Sequence, residues 1–189
     1  RLAGKKLAIV NDTPGVTRDI REVRSKLRGH SMVLMDTAGF ENAKGHKIEA
    51  KMRAQTELAV LDADIVLFVY DAREGVTPLD RNFAQYVRRS NKTTFLVANK
   101  CESSAADAGI TDGYSLGMGD PIEVAAEHNI GFGELDDAVE LALRDVDLNI
   151  RDDNIDYEEA PVRIAIVGRP NAGKSTLINT LIGENRLLV

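Results

Sequence analysis

Tryptophan is absent from the 189-residue chain, and aromatic residues make up only 5% of it. Stacking of bases on aromatic side chains is therefore excluded as a main binding device. The single cysteine, Cys101, excludes an intrachain disulfide framework and a zinc site built from several thiolates. No apolar run approaches the roughly 18 residues needed to span a bilayer. No charged-then-apolar leader precedes a small-residue cleavage site. Positive charge is not in excess, since Lys plus Arg is 24 against 30 for Asp plus Glu, a formal net charge of −6. Such a chain has no general electrostatic footprint for nucleic acid. His30, His46 and His128 share no metal-ligand spacing, and no Ser/His/Asp arrangement or close carboxylate pair suggests hydrolytic chemistry of that kind. The expectation is a soluble cytoplasmic protein, with neither a membrane nor DNA as partner.

What is present is an ordinary globular mix, 43% hydrophobic and 29% charged. Short apolar runs at 32–35, 65–70, 94–98, 122–126 and 162–167 read as strands buried on both faces, and 22–28 as an edge strand. Helical patterns separate them at 49–61, 78–90 and 133–147. The second opens on Thr77-Pro78, a cap followed by proline at the first helical position. Strands alternating with helices predict an α/β fold with a doubly wound, mostly parallel sheet. Residues 144–160 hold seven acidic and two basic side chains, a net −5. This composition reads as a helix end followed by a solvated linker, with a domain boundary near 148–161.

One motif carries strong chemistry. Gly168-Arg169-Pro170-Asn171-Ala172-Gly173-Lys174-Ser175 matches G-x-x-x-x-G-K-[ST], between an apolar strand and a helical start at Thr176. Glycines let the backbone curl round a phosphate, and the helix N-terminus adds its dipole. Lys174 is expected to reach the β- and γ-phosphates and Ser175 to ligate Mg²⁺. Three weaker signals gain weight beside it. Asp36-Thr37-Ala38-Gly39 follows a strand, with Asp36 placed to hold Mg²⁺ through water and Gly39 to lend an N–H to a γ-phosphate. Asn99-Lys100-Cys101-Glu102 follows another. There Asn99 can bond a purine edge, the Lys100 stem can lie over the ring, and the Glu102 carboxylate can accept two N–H bonds from guanine. Residues 13–19 form a polar, turn-rich segment whose Thr17 could ligate Mg²⁺ when a γ-phosphate is present. Thr17, Gly39 and Lys174 make up the expected catalytic set.

Together DTPGVTRD at 12–19, DTAGF at 36–40, KMRAQTE at 51–57, DAREGVTPLD at 71–80, residues 99–102 and residues 168–175 resemble the EngA/Der family of double-Era-like GTPases. The resemblance covers essentially the whole chain. It implies P-loop NTPase domains of the Ras/Era-like type, two in tandem with a C-terminal KH-like domain, hydrolysing GTP in maturation of the large ribosomal subunit. Thr17 then takes the switch I role and residues 36–39 the switch II role. Asn99, Lys100 and Glu102 read guanine, Ala125-Ala126-Glu127 form the last base-contacting loop, and residues 168–176 form the phosphate loop. Two positions depart from the family pattern. Glu102 stands where aspartate is usual, and Ala125 where a serine is usual. Phe40 follows Gly39 where Ras-like proteins place glutamine, as is typical of the family. Potassium-assisted hydrolysis is implied, with Asn171 as a K⁺ ligand. A nucleotide-gated module that binds the ribosome or its RNA, with hydrolysis secondary, is the alternative. An ATPase is disfavoured by residues 99–102.

The motif order is unusual, because the switches precede the phosphate loop. Residues 180–189 align without a gap to residues 1–10, at an offset of 179, with identities at Leu2/Leu181, Gly4/Gly183 and Val10/Val189. The expectation is a G domain at 1–147 lacking its first strand and phosphate loop, an acidic linker at 148–161, and the opening of a second G domain at 162–189. The fold would then be incomplete at both ends, and the stretch alone would bind GTP poorly and not turn it over. A natural circular permutation is the alternative, and it would not explain the repeated ten residues. A further possibility that follows from the two-domain reading is that residues 162–183 fold back, or exchange between chains, into the slot of the first domain's missing strand.

Overall fold

A computed structural model of the chain describes residues 20–27, 29–37, 46–151, 161–183 and 187. Its strands are β1 (Arg21–Leu27), β2 (His30–Asp36), β3 (Ile65–Asp71), β4 (Thr93–Asn99), β5 (Ile122–Glu123) and β6 (Val162–Val167). The helices are α1 (His46–Asp62), α2 (Pro78–Arg89), α3 (Asp107–Gly113), α4 (Phe132–Arg151) and α5 (Lys174–Ile182). All six strands form one sheet in the order β1-β2-β6-β3-β4-β5. Among the strand pairs of the described residues, only β1–β2 is antiparallel.

The central position of β6 is the main architectural fact. This last of the described strands pairs with β2 in the register Met32↔Val162 to Asp36↔Ile166, and with β3 from Ile65↔Ile164 to Phe68↔Val167. The sequence reading assigns 162–189 to a second domain and allows 162–183 to fold back onto the first; here β6 lies inside the sheet that the earlier residues build. Its near-continuous apolar pattern is what a two-sided burial needs. One face of the sheet packs Leu135, Val139 and Leu143 of α4 with Leu177 and Ile178 of α5 against Ile164, Ile166, Leu67 and Val97. The other packs Ala59 and Val60 of α1 with Phe83 and Val87 of α2 against Val33, Phe68, Tyr70 and Val167. Helices on both faces of a mostly parallel sheet are the expected doubly wound arrangement.

Polar contacts hold β6 in place as well. Arg163 Nη2 donates to Glu22 Oε1 at 2.6 Å and lies 2.6 Å from Asp62 Oδ2. The Arg163 backbone N–H donates to the Asp64 side-chain Oδ2 at 2.7 Å, and the Asp64 backbone N–H donates to Arg163 O at 2.8 Å. Burial alone disfavours the Arg163 charge, but the Glu22 hydrogen bond and the Glu22 and Asp62 carboxylates raise its pKa.

The element boundaries differ from expectation in instructive ways. The predicted strand 122–126 pairs as a strand only at 122–123. Beyond it the chain bridges Ala125 to Ile130 and tightens into a single 3₁₀ turn at Ala126–His128. Helix α4 runs to Arg151, so its last turn enters the stretch read as linker from residue 148. Helix α3, in DAGITDG, has no periodic apolar signal and was not expected. It forms because its glycines allow close approach. A Cβ on Gly109 would lie 1.8 Å from Ala72 O, and one on Gly113 would lie 2.2 Å from the Tyr70 hydroxyl. That buried hydroxyl donates to Gly109 O at 3.1 Å, and burial raises its pKa.

Candidate functional site: a phosphate loop joined to a base loop

Strands β6, β2, β3 and β4 are parallel, so their carboxyl ends lie along one edge of the sheet, where such folds bind ligands. The loop from β6 to α5 begins there. Gly168 has φ +153°, and a Cβ on it would lie 2.1 Å from Val69 O. Gly173 has φ +89°, and its Cβ would lie 2.2 Å from Asn99 Nδ2. Only glycine fits either position, which accounts for both glycines of the motif. Asn171 also takes a left-handed conformation, φ +61°, at the exposed tip. Lys174 opens α5 and is buried, and its ammonium donates to Gly168 O at 3.0 Å and Arg169 O at 2.8 Å. The charge is thus already held inside the loop.

Two residues distant in sequence meet beside it. Ser175 Oγ donates to Asp36 Oδ2 at 2.7 Å, across 139 residues of chain. Asp36 is fully buried at the end of β2. Its neighbour Thr37 donates through Oγ1 to Ile166 O at 2.9 Å, fixing the end of β2 against β6. Two hard oxygen donors this close fit Mg²⁺, which takes one or two protein oxygens and completes its shell with phosphates and water. Among the described residues no group of three or more His, Cys, Asp or Glu could hold a metal by itself. The expected partners Thr17, Ala38 and Gly39 lie outside the described residues.

The base loop is joined to the phosphate loop by one amide. Asn99 Nδ2 donates to Ala172 O at 2.8 Å, and its Oδ1 accepts from Ala126 N–H at 3.1 Å. These bonds make Asn99 tie three segments together, a duty beside the purine contact expected of it. Ala126 O also accepts from Thr180 Oγ1 of α5 at 2.9 Å. Ala125 is buried behind this loop. Lys100 sits at φ +69°, an uncommon conformation for a lysine, with Nζ 2.5 Å from Asp71 Oδ2. Glu102 Oε1 lies 3.2 Å from Arg73 Nη1. Cys101 Sγ contacts Ala98 O at 3.2 Å, and burial pushes its pKa up to about 11, so the thiol stays protonated and unreactive near neutrality.

Several supporting residues had no role assigned from sequence. The β3–α2 loop carries most of them. Arg169 of the phosphate loop reaches Glu74 Oε2 at 2.6 Å and lies 3.4 Å from Asp80 Oδ2. Asp80, fully buried, also closes the capping box of α2, accepting from Thr77 N–H at 2.9 Å and Thr77 Oγ1 at 2.6 Å. The sequence signal was the T-x-x-D spacing after Thr77, which predicts a cap but not its second duty. Pro170 and Thr176 occupy the loop's turn and the first turn of α5.

A family model described as 50S ribosome-binding GTPase matches residues 1–100 and 163–189. The chain belongs to the 50S ribosome-binding GTPase family. The two stretches matched to this GTPase family contribute β1, β2, β3 and β4 on one side, and all of β6 but Val162, with the phosphate loop, on the other. The chain is also similar to proteins named GTPase Der. The one from Rhodopseudomonas palustris strain BisB5 is 48% identical over 195 residues, covering 100% of the chain and 42% of that relative. Those from Parvibaculum lavamentivorans and Azorhizobium caulinodans are 49% and 50% identical, covering 100% of the chain and 44% and 43% of their own lengths. The chain therefore spans about two fifths of the length of the curated relatives it matches. Among its described residues no helix is long and apolar enough to cross a membrane.

Proposed function

We propose that this chain binds a guanine nucleotide at the sheet edge where β6, β2 and β4 end, and that the longer proteins of its family hydrolyse GTP as a cytoplasmic switch in large ribosomal subunit assembly. The observation that carries the reading is the meeting of Ser175 with Asp36 beside the Asn99–Ala172 bond. Phosphoryl transfer depends on positioning a phosphate cradle, a Mg²⁺ pair and a base clamp together, and those three parts come from residues 168–176, 36 and 99–126. Ser175 and Asp36 would hold Mg²⁺, which supplies neutralisation of the charge developing on the phosphates. Lys174 would turn from the Gly168 and Arg169 carbonyls to the β- and γ-phosphates, and the N–H groups at the start of α5 would face them. Thr17 and Gly39 keep their proposed parts on the γ-phosphate side. A K⁺ ion at Asn171 rests on the family resemblance.

The proposed domain division follows from the same elements. In longer relatives, residues 1–147 and 162–189 would belong to successive G domains joined by residues 148–161. Here the opening strand, loop and helix of the second would complete the sheet of the first. The ten-residue similarity between 1–10 and 180–189 supports that interchange, since both follow a phosphate-loop helix in this reading.

Titration of the purified chain with GDP and Mg²⁺ tests the proposal. Binding is expected, is strongly weakened in Lys174→Ala, and resists competition by ATP. No binding, or binding indifferent to Lys174→Ala, would refute it. Co-sedimentation with large ribosomal subunits, in GDP and in a non-hydrolysable GTP analogue, tests the partner. Equal sedimentation in both would sink the switch.

A further inference from the structure

The proposed guanine reader, Glu102, is one methylene longer than aspartate and so has an additional rotatable bond. A free glutamate at that position would spread its carboxylate over several rotamers and lose entropy on meeting a base. The β3–α2 loop contains a device that limits this. Asp71 sits nearly fully buried at the end of β3, and its Oδ1 accepts from the backbone N–H of Arg73 at 3.0 Å and of Glu74 at 3.4 Å. Its Oδ2 takes the Lys100 ammonium at 2.5 Å. One carboxylate thereby sets the turn that carries Arg73 and the lysine of the base loop. The Arg73 guanidinium then reaches Glu102 Oε1 at 3.2 Å. The two side chains are only part-buried, so the pair adds little to stability. Its effect is on where the carboxylate points.

We propose that Arg73 is a positioning residue for guanine selection, holding the Glu102 carboxylate where it accepts from the N1–H and 2-amino group of the base. This rests on the reading of the site as a guanine-nucleotide site. A carboxylate has about four lone-pair sites, so engagement of Oε1 by Arg73 leaves acceptor capacity for both base donors. Arg73 and Lys100 are held by the same Asp71, so the ring contact and the edge contact are set together.

The test compares GDP with inosine diphosphate, which lacks the 2-amino group, on the purified chain with Mg²⁺. The ratio of the two dissociation constants reads the contact of the carboxylate with that amine. The unaltered chain is expected to prefer GDP, and Glu102→Gln to lose most of the preference. Arg73→Ala is expected to lower the ratio about five-fold, the order of effect of one part-exposed ion pair. Arg73→Lys should fall between. Glu102→Asp in the Arg73→Ala background should restore the ratio, because the shorter side chain has fewer rotamers to restrain. If Arg73→Ala weakens both nucleotides equally, the arginine acts only as a general positive charge and the inference fails. If the unaltered chain binds GDP without discriminating against inosine diphosphate, the inference fails while the nucleotide site survives. If it binds neither, both readings fall.

Discussion

The two poles of the site are built in different ways. At the phosphate pole, the decisive bonds join residues far apart in sequence: Ser175 to Asp36, Thr37 to Ile166, Arg169 to Asp80. At the base pole they join neighbouring parallel strands, with Lys100 and Glu102 just after β4 paired to Asp71 at the end of β3 and Arg73 on the turn that follows it. The base pole follows from β3 and β4 pairing side by side. The phosphate pole exists only if β6 enters between β2 and β3. In the proposed reading, stability of the sheet and affinity for phosphate are therefore coupled, whereas base selection can vary with little effect on the fold.

Lys174→Ala separates the poles most sharply. It removes a buried cation from the phosphate loop and should weaken GDP binding about 100-fold by isothermal titration, since charge-assisted bonds to phosphate contribute about 1.5–3 kcal/mol each. Next in size is Asp80→Ala, which removes the α2 capping box and leaves Arg169 with Glu74 alone. A loss of about 2 kcal/mol in urea unfolding is expected, a factor of about 30. A loss below a few tenths would mean that the β3–α2 loop does not brace the phosphate pole. Chelation of Mg²⁺, or Ser175→Ala, should weaken GDP binding by about tenfold, and the two should not add, because both remove the same ligand pair. Additive losses would place the ion elsewhere. The smallest effect is expected from Arg163→Ala, about 1 kcal/mol of stability through its part-exposed pairs to Glu22 and Asp62. GDP affinity should fall in step with it, as the coupling of β6 to the phosphate pole requires. Stability lost without any change in affinity would break the comparison.

Much of this was legible along the chain. The apolar runs marked β2, β3, β4 and β6, because a strand covered on both faces must be apolar throughout. Thr77-Pro78 marked the start of α2, because the cap and the proline act within one turn. G-x-x-x-x-G-K-S marked the phosphate loop, because its glycines answer to local backbone geometry and the fold merely supplies their neighbours. The family resemblance singled out Asn99, Lys100 and Glu102 as the proposed base loop. Less legible were the brief strand at β5, where the chain leaves the ladder to wrap over Asn99, and α3, where glycine propensity argues against a helix. There the close contacts of Gly109 and Gly113 with Ala72 and Tyr70 outweigh an intrinsic cost of about 1 kcal/mol per glycine.

The amino-acid sequence by itself determined most of the strands, the glycine turns of the G-x-x-x-x-G-K-S loop, and which side chains are candidates to meet a phosphate or a base. Each of those depends on interactions within a few residues. Only the tertiary structure decided that the last strand becomes a central one, that Ser175 meets Asp36, and that Arg73 faces Glu102. Apolar patterning reports how deeply a strand is buried, not which equally apolar neighbour it pairs with. That choice is made by register, connection and the few charged anchors, such as Arg163, that only one arrangement satisfies.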